Sequence, residues 1–130
     1  MAALARGLHD AGEFSTSVTT FYPGGDLEEP LRDAGVSVTS VNKKGRWDLT
    51  GFAIRLGEAL RRDAPAIIHS FLGPTNLAAA VLRPWLPGTR LIWGVRASDV
   101  ELANYDWTWR VGFKLEKMLS MVPDRIIANS

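Results

Sequence analysis

Apolar and polar positions along this chain follow two rhythms that take turns, one alternating every second residue and one recurring every three or four. Residues 2–11 carry the helical rhythm, with Leu4 and Leu8 one turn apart, Ala5 and Ala11 on the same side, and Gly12 as the stop. Residues 14–21 alternate and are rich in β-branched side chains, which predicts a strand. Pro23-Gly24-Gly25 ends it. Asp26 then caps a short helix to about residue 34, with Pro30 early in it and Gly35 closing it. Val36, Val38 and Val41 mark a second strand, and 42–47 form a polar, basic loop. Asp48 or Thr50 caps a helix over 51–63, whose Phe52, Leu56, Ala59 and Leu60 oppose Arg55, Glu58, Arg61 and Arg62. A strand at 66–71, a helix at 75–83 and a strand at 90–95 follow. A long helix at 106–121 sets Trp107, Val111, Leu115, Met118, Leu119 and Val122 on one side, and 125–128 is the last strand.

Helix and strand thus alternate throughout. That order predicts an α/β fold of βαβ units, a Rossmann-like parallel sheet with helices on both faces. The pattern opens on a helix and closes on a strand, so the sheet is expected to lack its first strand. Residues 1–130 then read as a single, incomplete domain. In a Rossmann-like layout the first strand is central. Its absence predicts unpaired edges on 14–21 and 66–71, and an isolated chain that is poorly stable or self-associates through them.

Composition narrows the partners. Of 130 residues, 46% are hydrophobic and 22% charged, which is a globular balance. A net charge of +1 argues against nucleic acid. Without cysteine there is no disulfide, thiol catalysis or cysteine-held metal, and His9 and His69 have no ligand spacing, so no metal site is expected. No apolar run is long enough for a spanning helix, and no signal peptide is visible, which points to the cytoplasm.

The chemistry concentrates past the ends of strands. Ala66, Ile67 and Ile68 lead into His69 and Ser70; Gly73 and Pro74 stop the strand, and Asn76 opens an alanine-rich helix. Open α/β sheets bind ligands at such carboxyl ends. For His69 taken alone, a hydrogen-bonded strand-end residue is the more common role. Arg96, Ser98 and Asp99 follow the next strand, and Asn129 and Ser130 the last. Arg96 suits a phosphate or carboxylate, and equally an ion pair with Asp99 or Glu101. Ser98 and Asp99 also suit an N-cap, and Asn129 and Ser130 a turn or the rim of a cleft. Gly24-Gly25 reads as a turn, since no P-loop lysine follows it.

Several segments, in order, resemble the N-terminal Rossmann-like domain of GT-B-fold retaining glycosyltransferases, of the glycosyltransferase family 4-like kind. They are Leu4-Ala5-Arg6-Gly7-Leu8 with Ala11-Gly12; Gly24-Gly25-Asp26-Leu27; Leu31-Arg32-Asp33-Ala34-Gly35-Val36; Pro65-Ala66-Ile67-Ile68-His69-Ser70; Trp93-Gly94-Val95-Arg96; and Asp124-Arg125-Ile126-Ile127-Ala128-Asn129-Ser130. The likeness spans nearly the whole chain. It departs at Ala66, where the family usually has Asp, and at Glu13, where it usually has His. The family's glycine-rich loop and its C-terminal donor-binding domain have no counterpart here.

The resemblance implies transfer of a sugar from a nucleotide-sugar to an acceptor hydroxyl, with this part shaping the acceptor side. It implies that His69 contacts the transferred sugar or the acceptor, and that Ser70, Gly73, Asn76, Arg96, Ser98 and Asp99 line the substrate site. Asn129 and Ser130 then lie on the interdomain rim. No cofactor is expected on this part; the donor sits on a C-terminal domain, without which the chain is expected to be inactive. The acceptor is a sugar or a lipid-linked saccharide. Two rivals carry other signatures. A flavodoxin- or receiver-like binding module of the receiver type needs paired acidic residues and a phospho-acceptor Asp. A nicotinamide-dependent dehydrogenase needs a glycine fingerprint and an acidic residue where Phe21-Tyr22-Pro23 stands.

One segment faces two ways. Trp107 to Lys117 is aromatic and basic, and suits an anionic membrane surface on the inner face, where relatives acting on lipid-linked acceptors are often peripheral. It equally suits a sheet-covering helix with Trp107, Val111 and Leu115 in the core. Glu116 interrupts the positive charge, and the sheet needs cover, which favours the core assignment.

Overall fold

The computed structural model describes residues 1–45, 47–96 and 107–129. Its elements run α1 (Ala2–Asp10), β1 (Ser17–Thr20), α2 (Glu28–Asp33), β2 (Ser37–Ser40), α3 (Leu49–Asp63), β3 (Ile67–Phe71), α4 (Gly73–Leu82), β4 (Arg90–Arg96), α5 (Trp107–Met118) and β5 (Arg125–Asn129). Single 3-10 turns follow α4 and α5, at Arg83–Trp85 and Leu119–Met121. The alternation predicted from the sequence is present, all strand pairs are parallel, and the architecture is a Rossmann-like α/β fold. The chain divides into two compact units, Met1–Ala59 and Leu60–Ser130.

In the first unit β1 and β2 pair in register, Val18 beside Val38. Ala5 of α1, Leu31 of α2 and Val36 form a buried cluster on which Val18 and Val38 pack. Gly35 closes α2 with φ +81°: its N–H bonds to the Arg32 carbonyl and the Val36 N–H to that of Leu31, a Schellman stop. The position has no room for a side chain, because a Cβ there would lie 2.8 Å from His9 Nε2. Strand β1 is half the length expected from the alternation over 14–21. The loss is mostly at its amino end, because the pairing with β2 begins only at Ser17 beside Ser37.

In the second unit the order is β3-β4-β5. Ile68, Leu91 and Trp93 share one sheet face with Ala79 and Ala80 of α4, and Leu119 and Val122 pack onto this cluster. Trp93 is 1% exposed. Thr89 donates to the Pro65 carbonyl at 2.9 Å, and Asp124 Oδ2 accepts the Leu91 N–H at 2.7 Å, which ties the amino ends of β3, β4 and β5 together. Among the described residues β1 bonds to β2 alone and β3 to β4 alone, so the two strands named from the sequence do present edges.

Helix α5 corrects one expectation. Leu119 and Val122, just beyond it, reach the core. The stripe of Trp107, Val111, Leu115 and Met118 does not: each is exposed, from 43% at Leu115 to 70% at Met118. The side that faces α4 carries Glu116 instead, which bonds to Asn76. The buried amide in α4 thus holds the Glu116 side of α5, and the apolar stripe lies outward.

Candidate functional site

The site is built at the carboxyl ends of three parallel strands. Register places Phe71 beside Gly94 and Arg96 beside Asn129, so β3, β4 and β5 deliver these positions to one edge of the sheet. Such an edge is where an α/β sheet presents residues to a ligand.

Strand pleating sends successive side chains to opposite faces. It therefore separates His69 from Ser70. Ser70 lies on the helix-covered face, 7% exposed, and its hydroxyl donates to Asn76 Oδ1 at 2.7 Å. Asn76 is fully buried at 0% exposure and donates through Nδ2 to Glu116 Oε1 at 2.8 Å. Glu116 also lies against Gly73, where a Cβ would stand 3.1 Å from Oε2. Ser70, Gly73 and Asn76 are thus brought together, with Glu116 as the member that sequence reasoning did not find. Their polar groups bind one another and hold β3, α4 and α5 in place.

His69 and Phe71 lie on the opposite face. Their rings stack at 4.2 Å between centroids and 28° between planes. Burial lowers the His69 pKa, so the neutral imidazole is favoured. Its Nε2 is buried and has no hydrogen-bond partner among the described residues. A neutral imidazole with a nitrogen to spare can donate or accept one bond from a hydroxyl. Phe71 fits because Gly94 lies beside it; a Cβ on Gly94 would be 2.7 Å from Phe71 Cδ1.

The junction between β3 and α4 is strained. Leu72 has φ +76° and ψ 150°, a conformation that residues other than glycine rarely adopt. The strain is offset locally: the Leu72 carbonyl accepts the Asn76 N–H at 3.0 Å and the Thr75 hydroxyl at 2.8 Å, and Thr75 also bonds to the Phe71 carbonyl. Pro74, in the first turn of α4, needs no N–H partner. Helix α4 therefore begins at Gly73, two residues ahead of the expected start.

The first unit has an analogous edge. The ladder of β1 and β2 continues past both strands, with the Val41 N–H on the Thr20 carbonyl and the Lys43 N–H on the Phe21 carbonyl at 2.8 Å. Phe21 meets Phe52 edge-on at 4.5 Å, and Lys43 Nζ lies 5.8 Å from the Phe52 centroid. Asp48, with Thr50 a candidate cap of α3, stands directly before that helix; its carboxylate accepts the Lys44 N–H at 2.8 Å and pairs with Arg55, and these bonds lower its pKa. Arg55 completes the clamp by donating to the carbonyls of Val41 and Asn42. At Gly24-Gly25 the Gly24 N–H donates to Glu28 Oε2 at 2.7 Å, so the chain's own carboxylate closes this turn.

Ser98, Asp99 and Ser130 lie outside the described residues, and of Arg96 and Asn129 the backbone alone is described. Among the described residues no group of His, Asp and Glu has the arrangement of a metal site.

The parallel strands, the helical crossovers and the polar strand ends define a Rossmann-like α/β domain of the kind that binds ligands at its carboxyl edge. More narrowly, the model of the glycosyl transferase 4-like domain matches residues 1–130, and the chain belongs to that family. No curated protein and no solved structure matched the chain.

Proposed function

We propose that this chain forms the acceptor side of a glycosyltransferase that moves a sugar from a nucleotide-sugar to an acceptor hydroxyl. Family membership carries the transferase part of this reading. The observation that supports an acceptor role is His69, a neutral imidazole whose Nε2 has no partner among the described residues, two positions before the carboxyl end of β3. Hydroxyl groups are recognised by single, oriented hydrogen bonds of that kind. The positions of Arg96 and Asn129 at the same edge suit further sugar or phosphate contacts.

In this reading the donor is held by another domain, and Ser70, Asn76 and Glu116 act by fixing the β3–α4 turn under His69. Acceptor transfer needs the hydroxyl held in line and water kept out, which a rigid turn favours. The test is binding, since transfer needs the donor half. The chain is applied to an array of oligosaccharides and lipid-linked saccharides and titrated with nucleotide-sugars in parallel. Saccharide binding that His69→Ala reduces by about tenfold, the worth of one good hydrogen bond, is the expected result. Binding to nucleotide-sugars alone would assign this chain to the donor side and overturn the reading.

A further inference from the structure

An imidazole turns about its Cβ–Cγ bond between two broad settings, and a half-turn carries its nitrogens to new places. A hydrogen bond from one ring nitrogen usually decides the setting. At His69 the Nε2 has no partner among the described residues, so this nitrogen does not fix its own ring. What the ring touches is Phe71, at 4.2 Å between centroids and 28° between planes. The two residues alternate with Ser70 on β3 and so project from the same face of the sheet.

Phe71 is itself held at both ends. Its carbonyl accepts the Thr75 hydroxyl in the first turn of α4. Its ring lies over Gly94, its partner in the register of β3 and β4, where a Cβ would stand 2.7 Å from Cδ1 and 3.0 Å from Cε1. A glycine inside a strand marks such a close approach. The ring is not spent in the hydrophobic core. It is only partly buried, and the cluster of Ala79, Ala80, Leu91 and Trp93 packs with Ile68 on the other face of the sheet. An aromatic ring outside that cluster, seated on a glycine and stacked on an imidazole, is placed to hold the imidazole.

We infer that Phe71, seated on Gly94, is a positioning residue that fixes the plane in which His69 presents Nε2 to an acceptor hydroxyl. The inference rests on the acceptor reading of His69 and supplies what that reading needs. A single hydrogen bond holds a hydroxyl in line only when the ring that makes it is itself held, because the bond weakens steeply off axis. Phe71 thus acts through His69 and makes no bond to the saccharide of its own.

The experiment is NMR relaxation of the histidine rings in the whole chain. The sequence holds His9 and His69 and no other histidine, so a His9→Gln variant assigns the two signals. The order parameter of the His69 ring is expected to fall in Phe71→Leu while that of His9 keeps its parental value. Phe71→Tyr, which keeps a ring to stack on, should keep the parental value at both. In the saccharide array, Phe71→Leu should weaken binding by about tenfold, as His69→Ala does, and the double variant should lose no more than either alone. Circular dichroism checks the fold, and Phe71→Met takes the place of Phe71→Leu should the latter unfold. A His69 ring as rigid in Phe71→Leu as in the parent overturns the inference. So do losses that add in the double variant, or a loosened ring that leaves saccharide binding at its parental strength. If the parent binds no saccharide the acceptor reading falls, and the ring order parameter alone decides whether Phe71 fixes the imidazole.

Discussion

Asn76, wholly buried in α4, donates a 2.8 Å hydrogen bond to Glu116 of α5, forty residues further along the chain. Through Ser70 the same amide is tied to β3. One side chain thus joins three elements, β3, α4 and α5, and its carboxylate partner lies on the side of α5 that faces α4.

Removing the amide takes a partner from a Glu116 carboxylate oxygen and leaves the Ser70 hydroxyl with only a 3.4 Å bond to the Ile92 carbonyl. Asn76→Ala is expected to cost about 2–3 kcal/mol, and Glu116→Gln, which keeps an acceptor, about 1 kcal/mol or less. Urea unfolding of Asn76→Ala, Glu116→Ala and the double variant closes a cycle. Additive losses would show that the two residues do not act together.

Leu72 holds a backbone conformation suited to glycine, φ +76°, with its side chain 66% exposed. Little packing is lost by removing that side chain, while the strain is relieved. Leu72→Gly should therefore raise stability by about 1 kcal/mol, net of the greater freedom glycine gives the unfolded chain. A lower urea midpoint than that of the parent would contradict strain at this turn.

Gly94 sets the space for Phe71. An added Cβ would lie 2.7 Å from the Phe71 ring and 3.2 Å from the Ser70 carbonyl oxygen. The ring cannot swing freely because His69 stacks on it. Gly94→Ala is expected to destabilise by about 1–3 kcal/mol, as overpacked sites do. Phe71→Leu in the same chain should recover part of the loss. Equal midpoints for Gly94→Ala and the parent would show that the neighbours yield.

Element order and type were legible in the sequence because each segment kept one rhythm, as the valines of β2 and the leucines of α1 show. Ends were less so. Gly73 and Pro74 read as a stop, yet they form the first turn of α4, because a helix start needs no N–H from its proline. The face chosen by α5 was not legible, since Glu116 looked like a solvent-facing charge until its partner Asn76 was located in space. Within the candidate site, His69 and Asn76 were both visible as polar residues near a strand end. Only pleating and burial separate them, one with a nitrogen that has no partner among the described residues and the other spent inside the fold.

His69 makes the fold sensitive to mild acid, and the direction follows from its lowered pKa. Above about pH 6.5 the imidazole is neutral in the folded and the unfolded chain, and it contributes no pH dependence. Below that value the unfolded chain takes up a proton that the folded chain resists because the ring is buried. Stability is therefore lost as pH falls from 6.5 toward the folded pKa, with a slope of at most one proton, about 1.4 kcal/mol per pH unit. His69→Gln has no such proton. Urea midpoints at about pH 7.5 and about pH 5, on either side of the usual histidine value, should differ more for the parent than for the variant. The same neutral form is the one able to accept a bond from an acceptor hydroxyl, so saccharide binding should weaken at lower pH still, as the folded imidazole itself takes up its proton. A parent and a His69→Gln variant with identical acid profiles would show that burial does not perturb this imidazole, and the proposed contact would lose its electrostatic basis.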